Sequence, residues 1–121
     1  MTICLLKSKI HRAAVTGASL DYEGSLTIAA DLAEKVGLRR YERILVGNMA
    51  NGERFETYVI LGAAGSGAIE LNGATAHLGK VGDRLTIMSF GHYEPREADR
   101  HAPKVILLDA HNAVVRDDTK H

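Results

Sequence analysis

The stretch L-D-Y-E-G-S-L-T, residues 20–27, is an acidic turn that leads directly into an apolar run. Glycine followed by serine at such a junction is typical of a turn that ends where a strand begins. A second interpretation is chemical, because the hydroxyl of Ser25 can attack the carbonyl of Gly24. Glycine has no side chain to block that attack, and it tolerates a strained backbone. Taken alone, the pair favours the turn and leaves self-cleavage as the alternative.

Short apolar segments separated by Gly, Asn or Asp follow one another along the chain. Closely spaced short strands predict an all-β core, either a closed barrel or a sandwich. Asn51-Gly52, between two strand-like runs, predicts a hairpin. Two stretches predict short helices, residues 30–37 with Gly37 at the end and residues 95–100, and the polar residues 117–121 are expected to fray. The predicted strands lie in residues 3–6, 25–30, 43–46, 55–61, 68–71, 85–90 and 105–108.

Composition narrows the class of protein further. The 121 residues predict a single domain, 1–121, and the absence of Trp predicts an aliphatic core. Fifteen Lys and Arg balance fifteen Asp and Glu, which argues against nucleic-acid or anionic-membrane partners. Cys4 is the only cysteine, so no internal disulfide can form and a reducing, cytoplasmic location is expected. The N-terminal apolar run is too short for a signal peptide, and no segment approaches the roughly 20 apolar residues of a membrane span.

Three further groups of residues carry candidate chemistry. Lys9 and His11 would share one face of a strand, where a cation and an imidazole can bind a carboxylate and move a proton. After the hairpin come Arg54, a natural carboxylate ligand, then Thr57 and Tyr58, which can stabilise an oxyanion and donate a proton. Each group also fits an ordinary half-exposed strand.

The third group, N-G-A-T-A-H at residues 72–77, has small side chains that would let a ligand approach the backbone closely. It also fits a tight connection from a strand to a helix. The histidine spacing predicts no metal site; the residues concerned are His77, His92, His101 and His111.

Four motifs taken in order resemble the pyruvoyl-dependent aspartate 1-decarboxylase family: K-S-K-I-H-R, Y-E-G-S, N-G-E-R-F-E-T-Y and N-G-A-T-A-H. The resemblance covers roughly residues 5–108. It implies a six-stranded double-psi β-barrel with short helices, assembled as a homotetramer. It also implies a proenzyme that cuts itself between Gly24 and Ser25, giving a β-chain of residues 1–24 and an α-chain of residues 25–121. A processing helper protein is a further partner to consider.

The resemblance also implies a cofactor and a reaction. Ser25 would become a pyruvoyl group, which takes the place of pyridoxal phosphate, with no metal required. Its ketone would form a Schiff base with L-aspartate, and loss of the α-carboxylate would give β-alanine, a pantothenate precursor. By similarity, Tyr58 donates the proton to the product, and Thr57 assists self-cleavage at Gly24 and lies beside the substrate.

Substrate-binding roles follow by the same resemblance. Lys9 and Arg54 match the cations that hold carboxylates, while His11 and Tyr22 line the site. The pocket wall would be formed by Asn72, Gly73, Ala74 and Thr75. The family usually reads N-G-A-A-A, so Thr75 is a departure that bears on substrate choice, and Gly47 is often larger in relatives.

Three alternatives stay open at this point. The same chemistry could act on another small acidic amino acid. The chain could instead be a barrel that binds a ligand or partner and never cleaves. A hydrolase with Ser25 as an ordinary nucleophile fits less well, because no nucleophile elbow surrounds that serine.

Overall fold

The computed structural model describes residues 1–119 and contains nine strands and two short α-helices in that range. The strands alternate buried and exposed side chains, as expected where one face of a sheet packs on a core. In chain order the elements are β1 (Ile3–Ala14), β2 (Gly17–Ser19), β3 (Ser25–Ala29), α1 (Ala30–Lys35), β4 (Arg43–Asn48), β5 (Arg54–Gly62), β6 (Ile69–Asn72), a 3-10 helix (Gly73–His77), β7 (Arg84–Tyr93), α2 (Pro95–Ala98), β8 (Lys104–Leu108) and β9 (Val114–Asp117).

All nine strands belong to one sheet, in the order β2-β6-β3-β5-β4-β7-β1-β8-β9. Three neighbouring pairs are parallel, namely β1 with β8, β2 with β6 and β3 with β5, and the other pairs are antiparallel. The all-β prediction is confirmed, and the arrangement is consistent with a barrel. Nine strands are present in residues 1–119 where the resemblance implies six.

The strand β5 changes partner in the middle of its length. Its first part, Arg54 to Tyr58, pairs antiparallel with β4, and its second part, from Val59 to Gly62, pairs parallel with β3. Leu26 of β3 lies opposite Val59. Ser25 precedes Leu26, and Tyr58 precedes Val59. Both residues therefore lie at the point where β3 replaces β4 as the partner of β5.

The core is aliphatic, as the lack of tryptophan predicts. Its members come from seven strands, from α1 and from the residues just after β1 and α1, and their side chains leave almost no surface to water. Each buried Ile, Leu or Val contributes about 1.5–3 kcal/mol of hydrophobic stabilisation. The largest fully buried side chains are Ile10, Leu26, Ile28, Ile44, Ile69, Leu71, Leu85, Ile87, Ile106 and Leu108.

In the first half of the chain, the hairpin and the first helix are confirmed, whereas β1 continues to Ala14, well beyond the predicted strand at residues 3–6. Asn51-Gly52 lies in the β4–β5 hairpin, where Gly52 adopts φ +76°. The first helix ends at Lys35 and is followed by a glycine-based terminus. There Gly37, at φ +74°, donates its N–H to the Glu34 carbonyl, and the next N–H reaches the Ala33 carbonyl.

The C-terminal part differs more from the predictions. The second helix is shorter than predicted, and it begins with a capping box between Glu94 and Glu97. The expected fraying from Asp117 is wrong at that residue, which ends β9 opposite Ile106 and lies 3.6 Å from the Lys35 ammonium. Asp118 and Thr119 are also held by hydrogen bonds, from the Asp118 N–H to the Val105 carbonyl at 2.8 Å and from the Thr119 N–H to the Asp117 carboxylate at 2.9 Å, so the prediction is wrong there too. Residues 120–121 lie outside the described residues. The strands β2 and β9 were not predicted because they are short, at three and four residues.

One buried side chain ties three separate segments together. The amide of Asn112 accepts from the Ala14 N–H at 2.7 Å and donates to the carbonyls of Ala14 and Gly67 at 2.8 Å each. Asn112 is 5% exposed and adopts φ +61°, a conformation that asparagine tolerates better than most residues. It therefore satisfies the backbone at the end of β1, where the ladder to β7 stops.

We expect Asn112→Ala to lower the free energy of unfolding by about 3 kcal/mol, because it strands buried backbone groups on two segments. Urea denaturation measures the loss. The matched control is His111→Ala, which changes the exposed neighbouring side chain and should cost within about 0.5 kcal/mol. Equal losses for the two variants would contradict the bridging role of Asn112.

Candidate active site

Ser25 is the first residue of β3 and is 4% exposed. Its hydroxyl accepts a hydrogen bond from the Asn72 side-chain amide at 3.0 Å and donates to the Glu23 carbonyl at 3.3 Å. Asn72 lies directly across from Ser25 in the antiparallel β3–β6 ladder and also donates to the Thr27 hydroxyl at 2.8 Å. The register of two strands thus fixes the orientation of the serine hydroxyl.

Gly73 supports the turn that precedes Ser25. It adopts φ +61°, and a Cβ placed on it would lie 2.4 Å from the Tyr22 carbonyl oxygen and 2.6 Å from the Gly24 nitrogen. The backbone of the turn therefore rests directly on the backbone of Gly73. The structure confirms that the N-G-A-T-A-H motif forms a tight connection from a strand to a helix, whereas the approach of a ligand to this backbone stays a prediction. Ala74 also lies against this turn, because a Cβ added to Gly24 would be 4.0 Å from the Ala74 backbone nitrogen.

Thr57 and Tyr58 approach the same junction from β5. The Thr57 hydroxyl donates to the Gly24 carbonyl at 3.5 Å, the long end of the hydrogen-bond range. Tyr58 lines a cavity together with Ser25 and Asn72. Because β5 changes partner at this point, its consecutive residues Thr57 and Tyr58 lie near the consecutive residues Gly24 and Ser25.

The cavity beside Ser25 has a volume of about 550 Å³ and is lined by side chains from β2, β3, β5 and β6 and by the turn before β3. A pyruvoyl group at position 25 would fit, because residue 25 forms part of the cavity wall and its side-chain oxygen already has an amide donor. Tyr22 also lines the cavity and is 68% exposed. Two carboxylates that were not predicted as site residues, Glu23 and Glu70, also line the cavity. Glu23 lies in the Y-E-G-S motif but was given no role there, and none of the four motifs contains Glu70.

The predicted basic residues are absent from the lining of this cavity, and Arg54 instead lines a second groove. Arg54 lines that groove, whose volume is about 340 Å³, with Thr86 and Met88 of β7. The sheet register places Lys9 opposite Met88, and the His11 Nδ1 lies 3.4 Å from the Thr86 hydroxyl. We call Lys9, His11 and Arg54 the basic group.

Gly47 lies between the two sides of this groove. It is paired with Arg54 on one side and with Thr86 on the other. The position that is often larger in relatives is therefore part of the basic groove, and glycine leaves the groove open there.

The charge state of His11 follows from its surroundings. Burial is the largest effect and lowers the pKa of the imidazole below its ordinary value of 6.5, because a charged ring loses hydration there. The cations Lys9, Arg12, Arg116 and Arg84 lower this pKa further. His11 is therefore neutral at pH 7 and able to accept a proton.

Thr75 lies in the 3-10 helix and is 6% exposed. Its hydroxyl is directed at backbone, with the Asn72 carbonyl at 2.7 Å and the Ser25 carbonyl at 3.2 Å. The side chain is absent from the cavity lining around Ser25.

Within residues 1–119, no group of three or more His, Cys, Asp or Glu side chains is arranged to hold a metal ion. In the same range, no helix is long and apolar enough to cross a membrane. The fold and the site together define the class: an all-β protein whose candidate site centres on a serine at the first residue of a strand, set in the wall of a cavity.

The particular family is shown by comparison with known proteins. Residues 1–115 match the family described as aspartate decarboxylase, and the chain belongs to that family. It is 53% identical to aspartate 1-decarboxylase of Desulfotalea psychrophila over 91% of this chain and 92% of the relative. The relatives of the same name in Lactiplantibacillus plantarum and Caldicellulosiruptor saccharolyticus are 48% and 50% identical, each over 96% of this chain and 89% and 91% of their own length. The resemblance drawn from the four motifs is confirmed.

We expect Gly73→Ala to lower the free energy of unfolding by roughly 3 kcal/mol or more, since its Cβ collides with the backbone of the turn. Gly52→Ala is the matched control, because Gly52 has a similar positive φ but nothing within 4 Å of an added Cβ. That control should cost only the left-handed strain of about 1–2 kcal/mol. Chemical denaturation compares them, and equal costs would show that the turn does not rest on Gly73.

Proposed function

We propose that this chain is a self-processing decarboxylase that removes the α-carboxylate of L-aspartate to give β-alanine, through a pyruvoyl group made from Ser25. Family membership supports the reaction class. The observation that carries the proposal is the junction at Gly24-Ser25, where the attacking hydroxyl is positioned by Asn72 and the attacked carbonyl accepts a hydrogen bond from Thr57. The single cysteine favours the cytoplasm as the location.

Self-cleavage needs only groups of this chain and one water. The Ser25 oxygen bonds to the Gly24 carbonyl carbon, the peptide C–N bond breaks, and the proton from the hydroxyl ends on the released amine of residue 25. Loss of the α-proton of residue 25 then breaks its Cβ–O bond and frees the Gly24 carboxylate. The dehydroalanine left behind takes up water and releases ammonia, which leaves a ketone. The products are residues 1–24 and a pyruvoyl-ended chain of residues 25–121.

Thr57 has a defined part in the first step. Attack on the Gly24 carbonyl places negative charge on its oxygen, and the Thr57 hydroxyl is the side-chain donor that already contacts that oxygen. The 3.5 Å separation is long for the neutral carbonyl and would shorten as the oxygen becomes anionic. Asn72 keeps the serine oxygen facing the turn by donating to it rather than competing for its proton.

A pyruvoyl group supplies the electron sink for the pair released when carbon dioxide leaves an amino acid. The chain's own residues do the rest. Tyr58 lines the same cavity as residue 25, and its phenol can give a proton to the product carbon. Asn72 lines the cavity, and Gly73 and Ala74, next to it in the chain, would offer their backbone to the substrate.

The basic group presents a problem of distance within one chain. Arg54 is four residues before Tyr58 on β5, so the two Cα atoms are about 13 Å apart, well beyond the span of aspartate. Arg54 also lines a different groove from Ser25. Tyr22, at the mouth of the Ser25 cavity, is 68% exposed, and Leu20 beside it is 59% exposed.

We therefore propose that two copies of the chain form each complete site. One copy contributes the cavity around Ser25 and Tyr58, and its neighbour contributes the basic group, whose cations bind the substrate carboxylates. In a homotetramer, every copy can contact one neighbour through its Ser25 cavity and another neighbour through its basic group. The same contact would cover Tyr22 and Leu20, whose exposure is unusual for large side chains at a site that needs to exclude water.

The choice between aspartate and another small acidic amino acid depends on the carboxylates that line the cavity. Glu23 and Glu70 would repel a free carboxylate on the Ser25 side, so carboxylate recognition depends on the basic group. Aspartate is the proposed substrate, and assays with glutamate and 3-methylaspartate test it. A clear preference for either of those two acids would replace aspartate with the preferred acid.

Denaturing mass spectrometry tests the processing. The wild type should give two fragments meeting at Gly24/Ser25, the larger lighter by one ammonia than a serine-ended chain. We expect Thr57→Ala to remain mostly uncut, because one lost oxyanion donor slows such a step by about 10²–10³-fold. Thr57→Ser is the matched control and should cut normally. Normal cutting of Thr57→Ala would remove this role from Thr57.

A wild-type chain that stays intact after prolonged warming, and with a processing helper from a related pathway, would favour the barrel that binds without cleaving.

Mixing inactive variants tests the shared site. Random assembly of Ser25→Ala with Arg54→Ala should restore about one quarter of the sites, since each site would draw one cluster from each of two copies. Ser25→Ala mixed with Tyr58→Phe is the matched control and should restore no activity, because both changes fall in one cluster. Equal failure of both mixtures, or a single-chain mass in solution, would contradict the shared site.

A further inference from the structure

The Thr75 hydroxyl contacts two carbonyl oxygens but has one proton to donate. The nearer acceptor is the Asn72 carbonyl at 2.7 Å, and the other is the Ser25 carbonyl at 3.2 Å. A threonine that bonds the carbonyl three residues earlier is common in helical turns, and that habit explains the first contact. It does not explain the second contact, which joins residues 50 positions apart in sequence and is buried.

The Ser25 carbonyl has a special place in the proposed chemistry. When residue 25 becomes a pyruvoyl group, this oxygen belongs to the amide carbonyl directly bonded to the reactive ketone. The electron pair released as carbon dioxide leaves is delocalised over that conjugated system, so negative charge develops on the oxygen. Whatever donates a hydrogen bond to it in the transition state lowers the barrier, and does so strongly in a site screened from water.

We propose that Thr75 is a catalytic residue that donates its hydroxyl proton to the carbonyl oxygen of residue 25 as charge develops there. This inference rests on the proposed function. In the resting protein the hydroxyl is shared unequally between two neutral carbonyls, mainly that of Asn72 at 2.7 Å and to a smaller extent that of Ser25 at 3.2 Å. As the residue 25 oxygen becomes anionic, a charge-assisted hydrogen bond outweighs the neutral one, and rotation about one side-chain bond redirects the proton.

The position of Thr75 makes this redirection easy. The hydroxyl already lies within hydrogen-bonding distance of both oxygens, so no backbone movement is needed. The residue is 6% exposed, so water competes little for the proton. The gain belongs to the transition state, because the resting hydrogen bond favours the other acceptor. The expected effect of losing the hydroxyl is therefore on kcat, with KM little changed.

The test compares Thr75→Val, which keeps the shape without the hydroxyl, with Thr75→Ser, which keeps the hydroxyl. All forms are first checked for complete cleavage by mass spectrometry. We expect kcat for aspartate to fall roughly tenfold in Thr75→Val, the effect of one moderately strong transition-state hydrogen bond. Thr75→Ser should stay close to the wild type. If Thr75→Val does not fold or cut, Thr75→Ala replaces it, with the same expectation.

A second readout does not depend on turnover. Protein labelled with carbon-13 at the serine carbonyl should show, after cleavage, one NMR signal from a keto amide, distinct from the four remaining serine carbonyls. Because a hydrogen bond deshields a carbonyl carbon, this signal should move upfield in Thr75→Val and return in Thr75→Ser.

The outcomes separate the two proposals. A keto-amide signal that is identical in all variants, together with unchanged kcat, would overturn the role of Thr75 and leave the pyruvoyl proposal intact. An equal loss of kcat in the serine and valine variants would also overturn it, since packing would then be the cause. If the wild-type protein shows no keto-amide signal at all, the proposed processing fails, and the inference falls with it.

Discussion

The change of partner along β5 is the constraint on which the site depends. Up to Tyr58 the strand pairs with β4, and from Val59 onward it pairs with β3. Side chains at such a point are close to residues of the incoming strand, so Thr57 reaches the Gly24 carbonyl while Tyr58 joins Ser25 in one cavity. An uninterrupted β4–β5 hairpin would place both residues away from the start of β3.

The second support is the contact of one backbone on another at Gly73. The turn at residues 22–24 can lie where it does only because position 73 has no Cβ. The same 3-10 helix presents Thr75 to the other side of Ser25, so the serine is held from both flanks by one short connection. Positioning, more than any unusual acidity of the groups involved, distinguishes this serine from an ordinary one at a strand start.

Much of the protein was predictable from sequence. The hairpin at Asn51-Gly52 and the helix end at Gly37 follow from local turn chemistry, which requires a positive φ at glycine. The aliphatic core follows from composition. The bridge made by Asn112 was not predictable, because its partners are 98 and 45 residues away in sequence and nothing near it marks them. Glu70 was missed for the same reason. Glu23 lies in the Y-E-G-S motif, but nothing in that motif shows that its side chain lines a cavity.

The sequence by itself determined the all-β class, the family and the candidate residues, because these depend on residue types at fixed local spacing. Only the tertiary structure decided how those candidates group. It divides them between the cavity at Ser25 and the basic group of Lys9, His11 and Arg54, and it directs the Thr75 hydroxyl at the Ser25 carbonyl. The physical reason is that strand register and partner choice are settled by long-range pairing and burial, which place residues distant in sequence within hydrogen-bonding distance. The extended strand β5 in turn keeps near neighbours such as Arg54 and Tyr58 apart.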